Sequence, residues 1–180
     1  SDWVSSQGAG LGIRYWHGRP GKTAGVLRSA GGLAVVSGSL APPVSSPGEA
    51  LPVILADAAK LATLDGNFAG AFWDAAAGRM TLVRDPFGVR ALYYVEHAGT
   101  IYFASELKQL LALPDLPLEP DLVALHKYLT FSFVPGEAVP VKGIKRLLPG
   151  SIAVIANGRI DTRRYFALLF RPLCRSMLPG

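Results

Sequence analysis

The sequence predicts an α+β domain built on antiparallel sheets, and three observations carry that expectation. Short strand-like runs are grouped along the chain instead of alternating one by one with helices, as a parallel sheet would require. Tight-turn dipeptides separate several of these runs, above all Asn157-Gly158, a strong two-residue hairpin signal. Two helical stretches, each preceded by a side chain able to cap it, stand together between the strand groups.

Taken in order, the first 32 residues are rich in glycine, and Leu11-Gly12-Ile13-Arg14-Tyr15-Trp16 predicts one strand among them. Leu33-Ala34-Val35-Val36 predicts a second that stops at Ser37-Gly38-Ser39, ahead of a Pro/Ser/Gly loop over 42–48. Residues 52–64 carry Ala, Leu and Ile at helical spacing, with Pro52 in the first turn and Asp65-Gly66 as the stop, which predicts a helix of about three turns. Strand-like runs at 68–74, 80–84, 91–96 and 100–104 then alternate with Ala76-Ala77-Gly78, Asp85-Pro86-Phe87-Gly88 and His97-Ala98-Gly99, and predict an antiparallel meander. Ser105 is placed to cap a helix over 106–113 and Asp121 a helix over 122–130, each offering an oxygen to free backbone N–H groups. Runs at 144–147, 151–155 and 159–165, separated by Pro149-Gly150 and Asn157-Gly158, return to strand.

Half of the 180 residues are hydrophobic and only 17 % are charged, which suits one compact domain and excludes a disordered polyelectrolyte. The net charge of +5 is spread along the chain, with small clusters only at Arg163-Arg164 and 142–146, so nucleic acid is not an expected partner. His17, His97 and His126 lack metal-ligand spacing and the single cysteine, Cys174, cannot build a cysteine site, so no metal is expected. No cofactor is expected either. An apolar window long enough for a bilayer is missing, and Ser1-Asp2-Trp3 does not resemble the basic start of a signal peptide, which leads us to expect a cytoplasmic protein without a membrane partner.

Two stretches imitate phosphate loops and fail on spacing. Gly18-Arg19-Pro20-Gly21-Lys22-Thr23 ends like GxxxxGK[ST], but the first glycine falls on Trp16 and no helix-forming stretch follows. Gly8, Gly10 and Gly12 lack the third glycine of a dinucleotide turn and precede a strand instead of following one.

The informative motifs begin at Leu64. Leu64-Asp65-Gly66-Asn67-Phe68-Ala69-Gly70-Ala71-Phe72-Trp73-Asp74 is followed by Arg84-Asp85-Pro86-Phe87-Gly88-Val89-Arg90-Ala91-Leu92-Tyr93-Tyr94 and by Phe103-Ala104-Ser105-Glu106-Leu107-Lys108. Tyr128-Leu129, Val134-Pro135-Gly136, Gly143-Ile144-Lys145-Arg146-Leu147-Leu148-Pro149-Gly150 and Arg164-Tyr165 complete the series. In order and spacing it resembles the class II glutaminase-type domain of the asparagine synthetase family, with Ala91 in place of the usual proline. From the residues alone, Arg84 and Asp85 are suited to pair and brace the turn that Gly88 permits.

The resemblance implies an N-terminal-nucleophile-hydrolase-like four-layer αββα sandwich over 1–166, with 167–180 as a divergent tail. It also implies glutamine hydrolysis by an amino-terminal cysteine, with an Asn-Gly turn at a strand end stabilising the oxyanion. Here Ser37 and Gly38 take the place of that turn and Ser39 that of a glutamate, Cys174 lies near the opposite end, and Ser1 is the remaining nucleophile candidate. The family's pyrophosphatase loop, S-G-G-x-D-S, does not occur in this sequence. The expected function is therefore a catalytically inactive glutamine amidotransferase domain that docks to an ATP-dependent amide-forming synthetase on another chain. An active glutaminase using Ser1, with glutamine as its ligand, is the alternative.

Overall fold

The computed structural model describes residues 2–6, 9–13, 25–29, 31–41, 49, 61 and 63–168. Its strands in chain order are β1 (Asp2–Ser6), β2 (Ala9–Ile13), β3 (Gly25–Ser29), β4 (Gly32–Leu40), β5 (Gly66–Asp74), β6 (Arg79–Arg84), β7 (Tyr93–His97), β8 (Thr100–Ala104), β9 (Lys145–Arg146), β10 (Ser151–Ala156) and β11 (Arg159–Arg164). Two helices, α1 (Leu107–Leu111) and α2 (Leu122–Phe131), lie between β8 and β9. Among the described residues all strand pairs are antiparallel: a hairpin of β1 and β2, a six-stranded sheet in the order β11-β10-β6-β5-β4-β3, and a three-stranded sheet in the order β8-β7-β9.

The larger sheet is buried on both faces, which is why Leu33-Ala34-Val35-Val36 reads as a continuous apolar run and not as an alternation. Leu33 and Val35 of β4, Ala69 and Ala71 of β5, Leu82 of β6 and Ala153 of β10 point to one side. There they meet Tyr94, Phe103, Leu92 and Leu147 from the smaller sheet and its flanks, so the two sheets pack face to face. Ala34, Val36, Phe68, Phe72, Val83 and Ile152 point to the other side and pack with Leu61 and Leu64. The far face of the smaller sheet, with Val95 at its centre, is covered by Leu107, Leu110 and Leu111 of α1.

The α+β class and the antiparallel sheets are those expected from sequence. The predicted helix over 52–64 lies almost wholly outside the described residues, as do Arg14, Tyr15 and Trp16 of the first predicted strand.

Several local expectations are corrected. The four runs from 68 to 104 are not one meander: β5 and β6 form a hairpin in the larger sheet, β7 and β8 one in the smaller, and residues 85–92 cross between the sheets. Asp85-Pro86-Phe87-Gly88 is thus a crossover and not a hairpin turn. β4 continues through Ser37-Gly38-Ser39 to Leu40, because β5 offers a partner for every residue from Gly32↔Asp74 to Leu40↔Gly66. Ser105 does not cap α1; Glu106 occupies the N-cap, where its N–H donates to Gln109 Oε1 at 3.2 Å. Asp121 caps α2 as its type predicts, its Oδ1 accepting from the Ala124 N–H at 2.9 Å.

Candidate functional site

The crossover after β6 is held by the two residues at its start. Arg84 ends β6, and its guanidinium points into the space between the sheets, where it donates to three carbonyls: Nε to Arg90 at 2.6 Å, Nη1 to Leu147 at 2.6 Å and Nη2 to Gly88 at 2.7 Å. The Asp85 side chain, fully buried, accepts three amides of the same loop, Phe87 at 3.1 Å and Val89 at 3.0 Å on Oδ1 and Arg90 at 3.0 Å on Oδ2. Contrary to the sequence expectation, the pair do not bridge each other. Adjacent side chains leave a strand in opposite directions, so one reaches the carbonyls and the other the amides.

Gly88 permits this loop for two reasons. Its φ is +68°, and a Cβ there would lie 2.7 Å from Pro149 Cγ and 3.0 Å from Arg84 Nη2. The Asp85 backbone closes the arrangement, with its N–H donating to Phe68 at 2.9 Å and its carbonyl accepting from Gly88 at 3.1 Å and Gly150 at 2.9 Å. Tyr165 adds a bond from its hydroxyl to the Arg84 carbonyl at 2.7 Å.

The electrostatics match this geometry. Burial, and next the nearby Arg146 guanidinium, lower the Arg84 pKa, while Asp85 and Tyr93 act in the opposite sense. Burial first, then Asp85, raises the Tyr165 pKa far above the ordinary phenol value. Arg84 and Asp85 are thus each engaged with three backbone groups, an arrangement suited to holding a chain crossover and not to proton transfer.

The second candidate region lies at the end of β4. Ser37 pairs with Ala69, and Gly38 with Phe68, whose carbonyl takes the Asp85 amide, so β5 joins this position to the clamp. Gly38 has φ +107°, and a Cβ there would fall 2.0 Å from the Asn67 carbonyl oxygen. Ser37 is half-buried and Ser39 exposed. Ser1 and Cys174 lie outside the described residues, which also contain no group of His, Cys, Asp or Glu arranged for a metal ion.

Sequence reasoning did not place Gly150, Tyr165 or Leu147 in this arrangement. Pro149-Gly150 and Tyr165 were visible as motif positions, but nothing local says that their partners are Asp85 and Arg84.

Residues 54–166, well over half of the chain, match the family described as "Glutamine amidotransferase domain". The chain belongs to this family. Among curated relatives, this amidotransferase domain is 35 % identical over 111 residues to asparagine synthetase (glutamine-hydrolyzing) 1 of Bacillus subtilis strain 168, a match covering 61 % of this chain and 17 % of that protein. It is 36 % identical over 115 residues to a putative asparagine synthetase (glutamine-hydrolyzing) of Mycobacterium tuberculosis H37Rv, covering 61 % and 18 %. These matches place it in the asparagine synthetase type of the family, and it spans less than a fifth of either relative. Among solved structures, glutamine phosphoribosylpyrophosphate amidotransferase of B. subtilis aligns with a TM-score of 0.49 at 15 % identity, covering 89 % of this chain and 35 % of that one.

No helix among the described residues is long and apolar enough to cross a membrane.

Proposed function

We propose that this amidotransferase domain is catalytically inactive and serves as a docking scaffold for an ATP-dependent, amide-forming synthetase. What supports the reading is the end of β4, where the sequence has Ser37-Gly38-Ser39 and its likeness to the family's strand would set Asn-Gly-Glu. The side-chain amide and carboxylate of that element are thereby replaced by hydroxyls. By contrast, Arg84 and Asp85, which shape the crossover with Gly88, each make three side-chain bonds to backbone.

One observation favours the alternative of a working glutaminase: β1 starts at Asp2, so Ser1 directly precedes a strand, as a nucleophile does in the family. That alternative requires Ser1 to be the mature amino terminus: the Ser1 hydroxyl then attacks the glutamine amide, its proton passes by way of the α-amino group to the departing ammonia, and water hydrolyses the resulting ester to glutamate.

Glutamate release from glutamine, measured on the purified chain with its terminus verified by mass and on Ser1→Ala, separates the two. The scaffold reading expects none from either. Release that vanishes in Ser1→Ala establishes a serine nucleophile and overturns it.

A further inference from the structure

Helix α2 turns to solvent the kind of surface that helices ordinarily turn to a core. Ala124 is its buried residue, whereas Leu122 is 74 % and Leu129 82 % exposed, and Val123 and Phe131 are exposed as well. At about 100° per residue, Leu122, Val123 and Leu129 fall within an arc of about 120°, the width of a core-facing stripe. Phe131 and the exposed Phe133 continue the apolar surface past the end of the helix, their ring centroids 6.3 Å apart.

Polar bonds, not burial, hold this helix in place. It belongs to an excursion closed at its stem by the Pro120↔Val141 bridge, by Asp121 N–H to Pro140 at 3.0 Å, by Lys142 N–H to Glu119 at 2.9 Å and by the Lys142–Glu119 ion pair at 3.2 Å. On its far side, Arg146 Nη2 donates to the Val134 and Gly136 carbonyls. Ten residues are too few for a stable helix in water without packing, so an uncovered apolar stripe on a braced helix marks an interaction surface.

We propose that this stripe, centred on Leu122, Val123 and Leu129 with Phe131 and Phe133 at its end, is where the synthetase body docks; the inference rests on the scaffold reading. Two observations select that occupant. In the asparagine synthetases it matches, the domain accounts for 17 % and 18 % of a longer polypeptide, so a larger body accompanies it there. The helix itself also carries Lys127 and no acidic residue, a surface that a partner with an acidic rim complements.

The test titrates the purified chain into the B. subtilis asparagine synthetase 1 polypeptide from which the matched domain has been removed, its fold verified by circular dichroism and ATP binding, with association followed by sedimentation velocity. The expected result is a one-to-one complex weakened tenfold or more by Leu129→Asp and by Leu122→Asp, and unchanged by Phe87→Ser, an exposed apolar residue elsewhere. Both helix positions are solvent-facing, and unchanged thermal midpoints verify that the variants fold. Association that ignores the helix substitutions overturns the placement of the interface and leaves the scaffold reading standing; no association overturns both. A concentration-dependent dimer of the chain alone, or binding to phosphatidylglycerol vesicles, that Leu129→Asp abolishes assigns the stripe to another occupant and overturns the inference. Glutamate release, read on the same samples, bears on catalytic inactivity alone.

Discussion

Arg84 and Asp85, adjacent in the chain, hold one loop by its two opposite polarities, Arg84 through the carbonyls of Gly88 and Arg90, with a third bond to Leu147, and Asp85 through three amides. The crossover between the sheets therefore has its shape set by two side chains, and its apolar tip, Phe87 and Val89, remains exposed.

Removing the carboxylate strands three amides around a buried position. Asp85→Ala is expected to lower unfolding free energy by about 3 kcal/mol. Asp85→Asn restores an acceptor but sets its NH2 group against a loop N–H, and it recovers no more than about half of the loss. The urea midpoints of the two variants check this, and equal stability of Asp85→Ala and the unaltered chain refutes the clamp.

Arg84→Lys keeps the charge and loses the fork. The three carbonyls belong to Gly88, Arg90 and Leu147 and lie around a planar group, which a single ammonium cannot reach together. A loss of about 2 kcal/mol is expected, with faster hydrogen exchange at the Val89 and Arg90 amides as the local sign of a loosened loop.

Glycine substitutions discriminate between conformational and steric demands. Gly158→Ala, at φ +70° with open space around its Cβ, is expected to cost about 1 kcal/mol. Gly88→Ala, at φ +68° against Pro149 and Arg84, adds a clash and is expected to cost about twice that or more. Gly38→Ala places a Cβ 2.0 Å from the Asn67 oxygen, and here β4 and β5 must separate. The order of thermal midpoints, Gly158→Ala above Gly88→Ala above Gly38→Ala, is the check.

Tyr165 links stability to alkaline pH. Its folded pKa is raised, so the neutral phenol bonded to the Arg84 carbonyl is favoured in the fold, whereas the unfolded phenol ionises near the ordinary value of about 10. That stability is fully present below this value and falls as pH rises above it, and Tyr94, also raised by burial, acts in the same direction. Tyr165→Phe is expected to cost about 1 kcal/mol at neutral pH and to shallow the decline between roughly pH 10 and 11, measured by urea unfolding across that range.

The local signals were legible where the answer was local. Asn157-Gly158 has positive φ at both residues and joins Ala156 to Arg159 as a two-residue hairpin, and Asp121 caps its helix, because turn and cap energetics depend on a few neighbouring residues. At the candidate site, the sequence singled out Arg84, Asp85 and Gly88 as a braced turn but set the two charges against each other instead of against the backbone.

Which strands share a sheet was decided only in three dimensions. The runs of β5 through β8 all read as strands separated by turn residues, so nothing in them says that the chain leaves one sheet after Arg84 and enters the other at Tyr93. The acceptors and donors that complete the clamp come from Leu147, Gly150 and Tyr165, distant in sequence and brought close by the pairing of β10 with β6. Residue type sets what a side chain can bond, and local pattern sets strand or helix. Partners are chosen by the burial of whole sheet faces, a property of the assembled layers that no single segment contains.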